Sequence, residues 1–405
     1  MKILQVNKYH YPKGGADKYY LKLSQKLKEA NYEVANFSML HPKNLDSKWS
    51  KYFVSNIEFN NSKFIDKLKT PGRIIYSLEA KNKFEKLVKD FKPDIVHLHN
   101  IYHQISPSIL NITRKYQIPT IIHLHDYKLI CPNYQLFTNN HTCQACLKQK
   151  YYNCFLKKCL KNSYSKSALA SLEMYIHHSI LNIYKKNIDH LISPSKFLKN
   201  KFVEFGWQEN KFSVVYNSFD SKLKAKKDFK RKNYLLYFGR LSKEKGVDVL
   251  LNALKSTNES LKIVGSGPYE NQLKKLAKEK NLNVEFLGFK EGDDLISIIS
   301  ETKAVVIPSI WWENMPLNML EALSLEKPVI ASSTGGMPEI IKEGENGLLF
   351  KPGSVSELRE KIKKLNQLDL DKMGKKAKES VKHLNEDSNL KAIEKIYNSF
   401  KKRNP

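Results

Sequence analysis

Ten short apolar runs separated by amphipathic stretches recur along the chain in two sets of five, and this repeated alternation restricts the fold more than any other feature. The first set is Lys2 to Asn7, Glu33 to Phe37, Ile95 to Leu98, Thr120 to Leu124 and Leu191 to Ser193. The second is Tyr234 to Phe238, Leu261 to Val264, Val284 to Leu287, Ala304 to Ile307 and Pro328 to Ala331. Strands that alternate with helices build parallel sheets with helices on both faces, because each parallel connection must cross over the sheet. The pattern therefore predicts an α/β chain with two such sheets. A length of 405 residues exceeds the size at which one hydrophobic core stops growing, which also favours two domains.

Between the two sets, 218–232 has no apolar periodicity and carries Lys222, Lys224, Lys226, Lys227, Lys230, Arg231 and Lys232. It reads as a basic linker. The predicted organisation is an N-terminal domain over 1–217, a C-terminal domain over 233–385, and a terminal helix over 386–405 read as crossing back to the first domain.

Charge is uneven. Residues 1–230 hold 39 Lys and Arg against 17 Asp and Glu, so most of the net +28 lies there. Such an excess suits an anionic partner: nucleic acid, a phosphorylated carrier lipid or the acidic leaflet of a membrane. The plain alternative is a Lys- and Asn-rich habit that only solvates the surface. No apolar run is long enough to span a bilayer, and the start Met1 to Asn7 reads as a first strand rather than a signal peptide. The expected location is cytoplasmic, or peripheral on the inner face of the plasma membrane.

In the second half, the run Tyr234 to Phe238 leads into Gly239-Arg240-Leu241-Ser242-Lys243-Glu244-Lys245-Gly246. Arg240 and Lys245 then stand at the carboxyl edge of a parallel sheet, where ligands bind. The loop Ile310 to Met315 carries Glu313 into a helix opened by Pro316, on which Leu317, Leu320, Leu323 and Ser324 share a face and Glu321 lies eight residues beyond Glu313. The unpaired N–H groups of that helix start, with Arg240 and Lys245, suit a diphosphate. A glycine loop, Ser333 to Glu339, follows the next strand and lets backbone approach a ligand closely.

Taken together, Gly239-Arg240…Lys245-Gly246, the Glu313 to Glu321 pair, Thr334-Gly335-Gly336…Glu339 and Asn346-Gly347-Leu348 resemble glycosyltransferase family 4, the group 1 transferases. The resemblance covers nearly the whole chain and implies the GT-B fold, two facing Rossmann-like domains around an interdomain cleft. It implies a retaining transfer from a nucleotide-sugar donor, UDP- or GDP-linked, to a saccharide or lipid-linked acceptor in bacterial surface polysaccharide synthesis. Arg240 and Lys245 would neutralise the diphosphate, Glu313 would contact the sugar and Glu321 the ribose. With them the donor site would include Gly15, Gly239, Gly265, Asn314, Met315, Pro316 and Leu317. Two fixed cations can meet the charge of a leaving diphosphate, and there is no Asp-x-Asp pair, so no catalytic metal or cofactor is expected.

On the acceptor side, Gly14-Gly15-Ala16-Asp17 resembles the family's glycine turn, with Asp17 where Glu is usual. His123 and His125 alternate onto one strand face, and the family's His-Asp dipeptide points to His125 as the catalytic histidine near the sugar, hydrogen-bonding its 6-hydroxyl, with Asp126 beside it. His99, at the end of the preceding strand, is expected to help bind acceptor.

All five cysteines lie between Cys131 and Cys159. Cys143, Cys146, Cys154 and Cys159 have spacing compatible with a structural zinc, against the plainer reading of buried thiols. The same segment interleaves Tyr151, Tyr152 and Phe155 with Lys148, Lys150, Lys157 and Lys158, as an anionic membrane surface would require. Two readings compete with the transferase. One is another GT-B enzyme, a sugar-nucleotide epimerase or a glycogen-synthase-like polymerase. The other is a nucleic-acid-binding protein, which lacks any recognised motif, so no nucleic acid is expected as partner.

Overall fold

The computed structural model describes residues 1–56, 71–220, 230–255 and 257–401. Two parallel six-stranded sheets form. The first contains β1 (Lys2–Val6), β2 (Glu33–Phe37), β3 (Ile95–Leu98), β4 (Thr120–His123), β5 (His190–Ser193) and β6 (Phe212–Val214), in the order β2-β1-β3-β4-β5-β6. The second contains β7 (Leu235–Phe238), β8 (Leu261–Val264), β9 (Val284–Gly288), β10 (Ala304–Ile307), β11 (Val329–Ser332) and β12 (Gly347–Phe350), in the order β9-β8-β7-β10-β11-β12. In each sheet the order turns back beside the first strand of its set, where β1 pairs β3 and β7 pairs β10. At such a switch point the loops at the carboxyl ends part and leave a crevice.

The predicted strands are present, with ends displaced by one residue at most. They were legible because strands covered on both faces need continuous apolar runs, as in β1, where Ile3, Leu4 and Val6 are fully buried. The sequence pattern missed β6 and β12, which complete one edge of each sheet. β6 is a half-buried Phe-Ser-Val, too short to stand out.

Helix α1 (Gly15–Glu29) follows β1 and buries Tyr20, Leu23 and Leu27 at helical spacing, with Asp17 in its first turn. Helix α2 (Tyr164–Tyr175) packs below the loop that follows β4, through a buried ion pair of 2.7 Å between Lys128 and Glu173. Helix α3 (Leu317–Ser324) has Pro316 at its N-cap in extended conformation and buries Met319, Leu320, Ala322 and Leu323. Leu317, expected in the donor site, borders the interdomain cavity.

Helix α4 (Glu386–Lys401) lies on the first sheet. Its Ile393, Ile396, Tyr397 and Phe400 join Ile3, Ile95, Ile121 and Ile192 in one apolar cluster, and Lys22 of α1 pairs with Glu386 at 3.2 Å. Phe219 and Asn385 form an isolated parallel bridge. The centre of the expected linker, 221–229, lies outside the described residues. Among the described residues no helix is long and apolar enough to cross a membrane.

Candidate active site

The two sheets face each other across a cavity of about 1180 Å³, bordered by Gly14, Gly15, Lys18 and Asp126 from one side and Arg240 and Glu321 from the other. A recess of about 400 Å³ adjoins it, lined by His125, Lys245 and Glu313 among others.

On the donor side, β7 ends at a backbone crowded enough to demand glycine. Gly265 has φ +132°, and a Cβ there would lie 1.9 Å from the Gly239 carbonyl oxygen. Arg240 is exposed at the cavity rim and has no ion-pair partner among the described residues. Lys245 turns inward and donates to Glu313 Oε1 at 2.7 Å, and the Ser309 hydroxyl donates to the same oxygen at 2.6 Å. Burial alone would raise the Glu313 pKa. The charge and hydrogen bond of Lys245, with the Ser309 bond, outweigh it and hold the carboxyl below its ordinary range. Glu321 borders both cavities, and burial pushes its carboxyl up to about 7, against a smaller opposing effect of the Lys18 charge.

The residues that follow Glu313 line the recess, and two of them also brace it. Asn314, Met315, Pro316 and Leu317 all border it. The Asn314 side chain donates to the His125 carbonyl across the cleft at 2.9 Å, and Met315, itself buried, accepts from the Asn217 side chain at 2.9 Å. The glycine loop after β11 does not open toward a ligand, contrary to the expectation. A Cβ on Gly335 would lie 1.9 Å from the Glu313 carbonyl oxygen, and Gly336 N–H donates to that oxygen at 2.8 Å, so the loop braces Glu313 from behind. Glu339 leaves the site entirely. Its carboxylate accepts from the backbone N–H of Lys196 and Phe197 in the first domain, at 2.9 and 2.7 Å.

On the acceptor side, Gly14 and Gly15 open α1 against the cavity, with Gly15 near Leu317. Asp17 is not a cleft residue as expected. It is buried beneath the glycine turn, where its carboxylate accepts from the Asn7 amide at 2.9 Å. His125 lines the recess, but His99 is fully buried behind it, its Nδ1 2.9 Å from His125 Nε2, and does not reach the cavity. Asp126 borders the cavity and accepts from the Lys128 N–H at 2.8 Å. Burial raises the Asp126 carboxyl, and the bond from Lys128 opposes that rise.

Two further residues belong to the cleft that sequence reasoning passed over. Trp311 stacks under the Lys245 ammonium, 5.2 Å from nitrogen to ring centroid. Lys18, on the cavity face of α1, begins a Lys18, Lys22, Lys26 ladder at helical spacing directly after the glycine pair. That spacing was a readable signal.

The cysteines form no disulfide. Cys146 and Cys154 are buried with Tyr151 and Met174, and Cys159 packs against them, while Lys157 approaches Cys143 Sγ at 3.9 Å. Among the described residues no group of three or more His, Cys, Asp or Glu is arranged to hold a metal ion. Burial raises the Cys146 pKa, whereas the hydrogen bond from Cys154 lowers that of Cys159.

Comparison with known proteins gives the geometry its context. A model of the family described as Glycosyltransferase Family 4 matches residues 13–223, and one described as Glycosyl transferases group 1 matches 219–382. An uncharacterised glycosyltransferase of Methanocaldococcus jannaschii is 24% identical, over 98% of both chains. A protein of Klebsiella pneumoniae, named only as an uncharacterised protein in the cps region, is 26% identical over 84% of this chain and 87% of its own. Among solved structures, Anabaena HepE in complex with UDP and glucose superposes with a TM-score of 0.69 at 19% identity, over 98% of this chain and all of that one, which shows a shared GT-B fold. Two parallel sheets facing a cleft, with each half matched by its own family model, make this chain a member of the family 4, group 1 glycosyltransferases.

Proposed function

We propose that this glycosyltransferase moves a hexose from a UDP- or GDP-sugar to a saccharide or lipid-linked acceptor with retention of configuration, in bacterial surface polysaccharide synthesis. The observation that carries the reading is the Lys245–Glu313 pair, set in a recess with Arg240 at its rim and His125 facing it. Cleavage of a sugar–phosphate bond leaves negative charge on the diphosphate and positive charge on the anomeric carbon. Arg240 and Lys245 stabilise the first, and the carboxylate of Glu313 lies close enough to orient the sugar hydroxyls. Glu321 accepts from the ribose. The acceptor hydroxyl attacks from the face the diphosphate leaves. Its oxygen bonds to the anomeric carbon as the carbon–phosphate oxygen bond breaks, and its proton passes to the departing phosphate oxygen. Retention is read from the family resemblance, and Asp126, the carboxylate beside His125, accepts from the Lys128 N–H within its own turn. Support for the donor and the pathway comes from the relatives: HepE binds UDP and glucose, and the Klebsiella protein takes its name from a cps region.

The acceptor side bears on a membrane. Residues 143–186 contain eight Lys and one acid, Glu173, which is buried against Lys128. On the surface of the same segment Tyr152, Leu156, Leu172, Tyr175 and Ile180 are each more than half exposed. Lysines around exposed aromatic and aliphatic side chains suit an acidic bilayer interface. The test is a donor screen by thermal shift, followed by NMR of the transferred anomeric centre. A retained configuration with UDP- or GDP-hexose is expected, and inversion or indifference to both donors overturns the reading. Flotation with acidic vesicles at moderate salt tests the surface, which fails if the protein stays behind.

A further inference from the structure

β3 and β4 each carry one histidine, His97 and His123, and a second follows two residues on, His99 and His125, so four rings stack on one face of the sheet. Ring centroids lie 4.7 Å apart for His97 and His99, 4.8 Å for His123 and His125, and 5.2 Å for His99 and His125. Burial keeps these rings neutral, with His125 lowered to about 3 and His99 well below its ordinary value. A neutral imidazole holds one N–H and one bare nitrogen, so in a hydrogen-bonded chain of neutral rings each tautomer dictates the next.

Such a chain runs from the C-terminal helix to the cleft. The Gln5 amide nitrogen donates to the Tyr397 hydroxyl oxygen at 3.3 Å and faces His97 Nδ1 at 3.4 Å. Its oxygen, Oε1, lies 2.7 Å from His99 Nε2. A carbonyl oxygen only accepts, so His99 carries its proton on Nε2 and leaves Nδ1 bare. His99 Nδ1 lies 2.9 Å from His125 Nε2, so His125 in turn donates from Nε2. The nitrogen left to His125 in the recess is Nδ1, and it is bare.

We propose that Gln5, oriented by Tyr397, fixes the tautomer of His125 through His99, so that His125 offers the cleft a hydrogen-bond acceptor and not a donor. Gln5, His99 and Tyr397 are positioning residues, and none of them lines the cavity. The inference rests on His125 facing the sugar, and it narrows the substrate. The sugar group that meets His125 must donate a hydrogen, as a hydroxyl does, and a carboxylate or a deoxy carbon there is rejected.

The tautomer is readable without any substrate. In the full chain with ¹⁵N-labelled histidine, two-bond ¹H–¹⁵N correlation of the ring nitrogens distinguishes the two forms, with His125 assigned through His125→Asn. A single form protonated on Nε2 is expected in the native chain. Gln5→Met, similar in shape and without polar atoms, is expected to give both forms, and Tyr397→Phe, which leaves Gln5 in place, to give a smaller shift in the same direction. A native His125 protonated on Nδ1, or a Gln5→Met chain with the native tautomer, overturns the proposal. If Gln5→Met does not fold, Tyr397→Phe decides alone. Transfer should fall about tenfold in kcat/KM in Gln5→Met, the value of one lost hydrogen bond. Should the tautomer respond to Gln5→Met in a protein that binds no nucleotide sugar, the relay stands and the proposed donor reading falls.

Discussion

Lys245 Nζ lies 2.7 Å from Glu313 Oε1, which joins the turn after β7 to the loop after β10 by one ion pair at the floor of the cleft. Glu313 is 6% exposed at its side chain and Lys245 24%, so the carboxylate depends on its partner more than the ammonium does. Lys245→Ala is expected to cost about 2 kcal/mol of stability, below the full value for a buried pair because the lysine is partly hydrated. Adding Glu313→Ala should recover most of that loss while transfer stays absent. Denaturant unfolding and turnover, measured on the three variants, separate the structural role of the pair from its chemical one.

Glu321 links donor binding to pH. Its carboxyl is raised to about 7 by burial, so the folded chain ionises it later than the unfolded chain. Stability is therefore fullest below the ordinary carboxylate range and declines as pH rises toward about 7. Ribose hydroxyls donate to the ionised form, so donor affinity should move the other way and increase with pH through that same window. Calorimetry of UDP binding in buffers of different ionisation enthalpy should detect a released proton in the native chain and none in Glu321→Gln. Equal proton release by both would remove Glu321 from the donor site.

Glu339 holds the two domains together from the far side of the cleft. Its carboxylate accepts from the N–H groups of Lys196 and Phe197 at the start of helix Lys196–Glu204, and from the Tyr216 hydroxyl at 3.0 Å. A carboxylate at a helix start gains from the unpaired N–H groups and the helix dipole together. Glu339→Ala should cost about 1 to 2 kcal/mol, seen as a lower Tm, with a larger radius of gyration in solution scattering. An unchanged radius would assign the residue to helix capping alone.

The sequence was most legible where burial is greatest. Apolar runs such as Ala304–Ile307 mark central parallel strands because neither face meets water, whereas β6 and β12 are edge strands with weaker patterns. Arg240, Lys245 and Glu313 could be placed at the cleft because their loops follow strands whose ends could be located, and Glu321 because its helix starts directly after such a loop. Asp17 and His99 were misjudged for a common reason. Alternation and helical spacing give the direction of a side chain along an element but not its depth, and both residues sit one layer behind the cleft surface. The Glu339 contact joins residues 142 and 143 positions apart and leaves no local trace in the sequence.

The lysine ladder on α1 tests whether the charge of the first half acts on the ligand or only on the fold. Lys22 and Lys26 are engaged with Glu386 and Asp387 of α4, at 3.2 and 3.1 Å, whereas Lys18 has no ion-pair partner among the described residues and lowers the Glu321 carboxyl by its charge alone. Lys18 thus has its charge available to an anionic donor at the cavity, and Lys22 has less to give. Lys18→Ala should weaken UDP-sugar binding by about threefold to tenfold and flatten its salt dependence, since one screened charge near the phosphates is removed. It should also raise the Glu321 pKa further, which moves the pH midpoint of donor affinity upward. Lys22→Ala should leave the salt dependence unchanged and loosen the contact between α1 and α4. Equal salt slopes for both variants would mean that the ladder serves only the packing of the C-terminal helix.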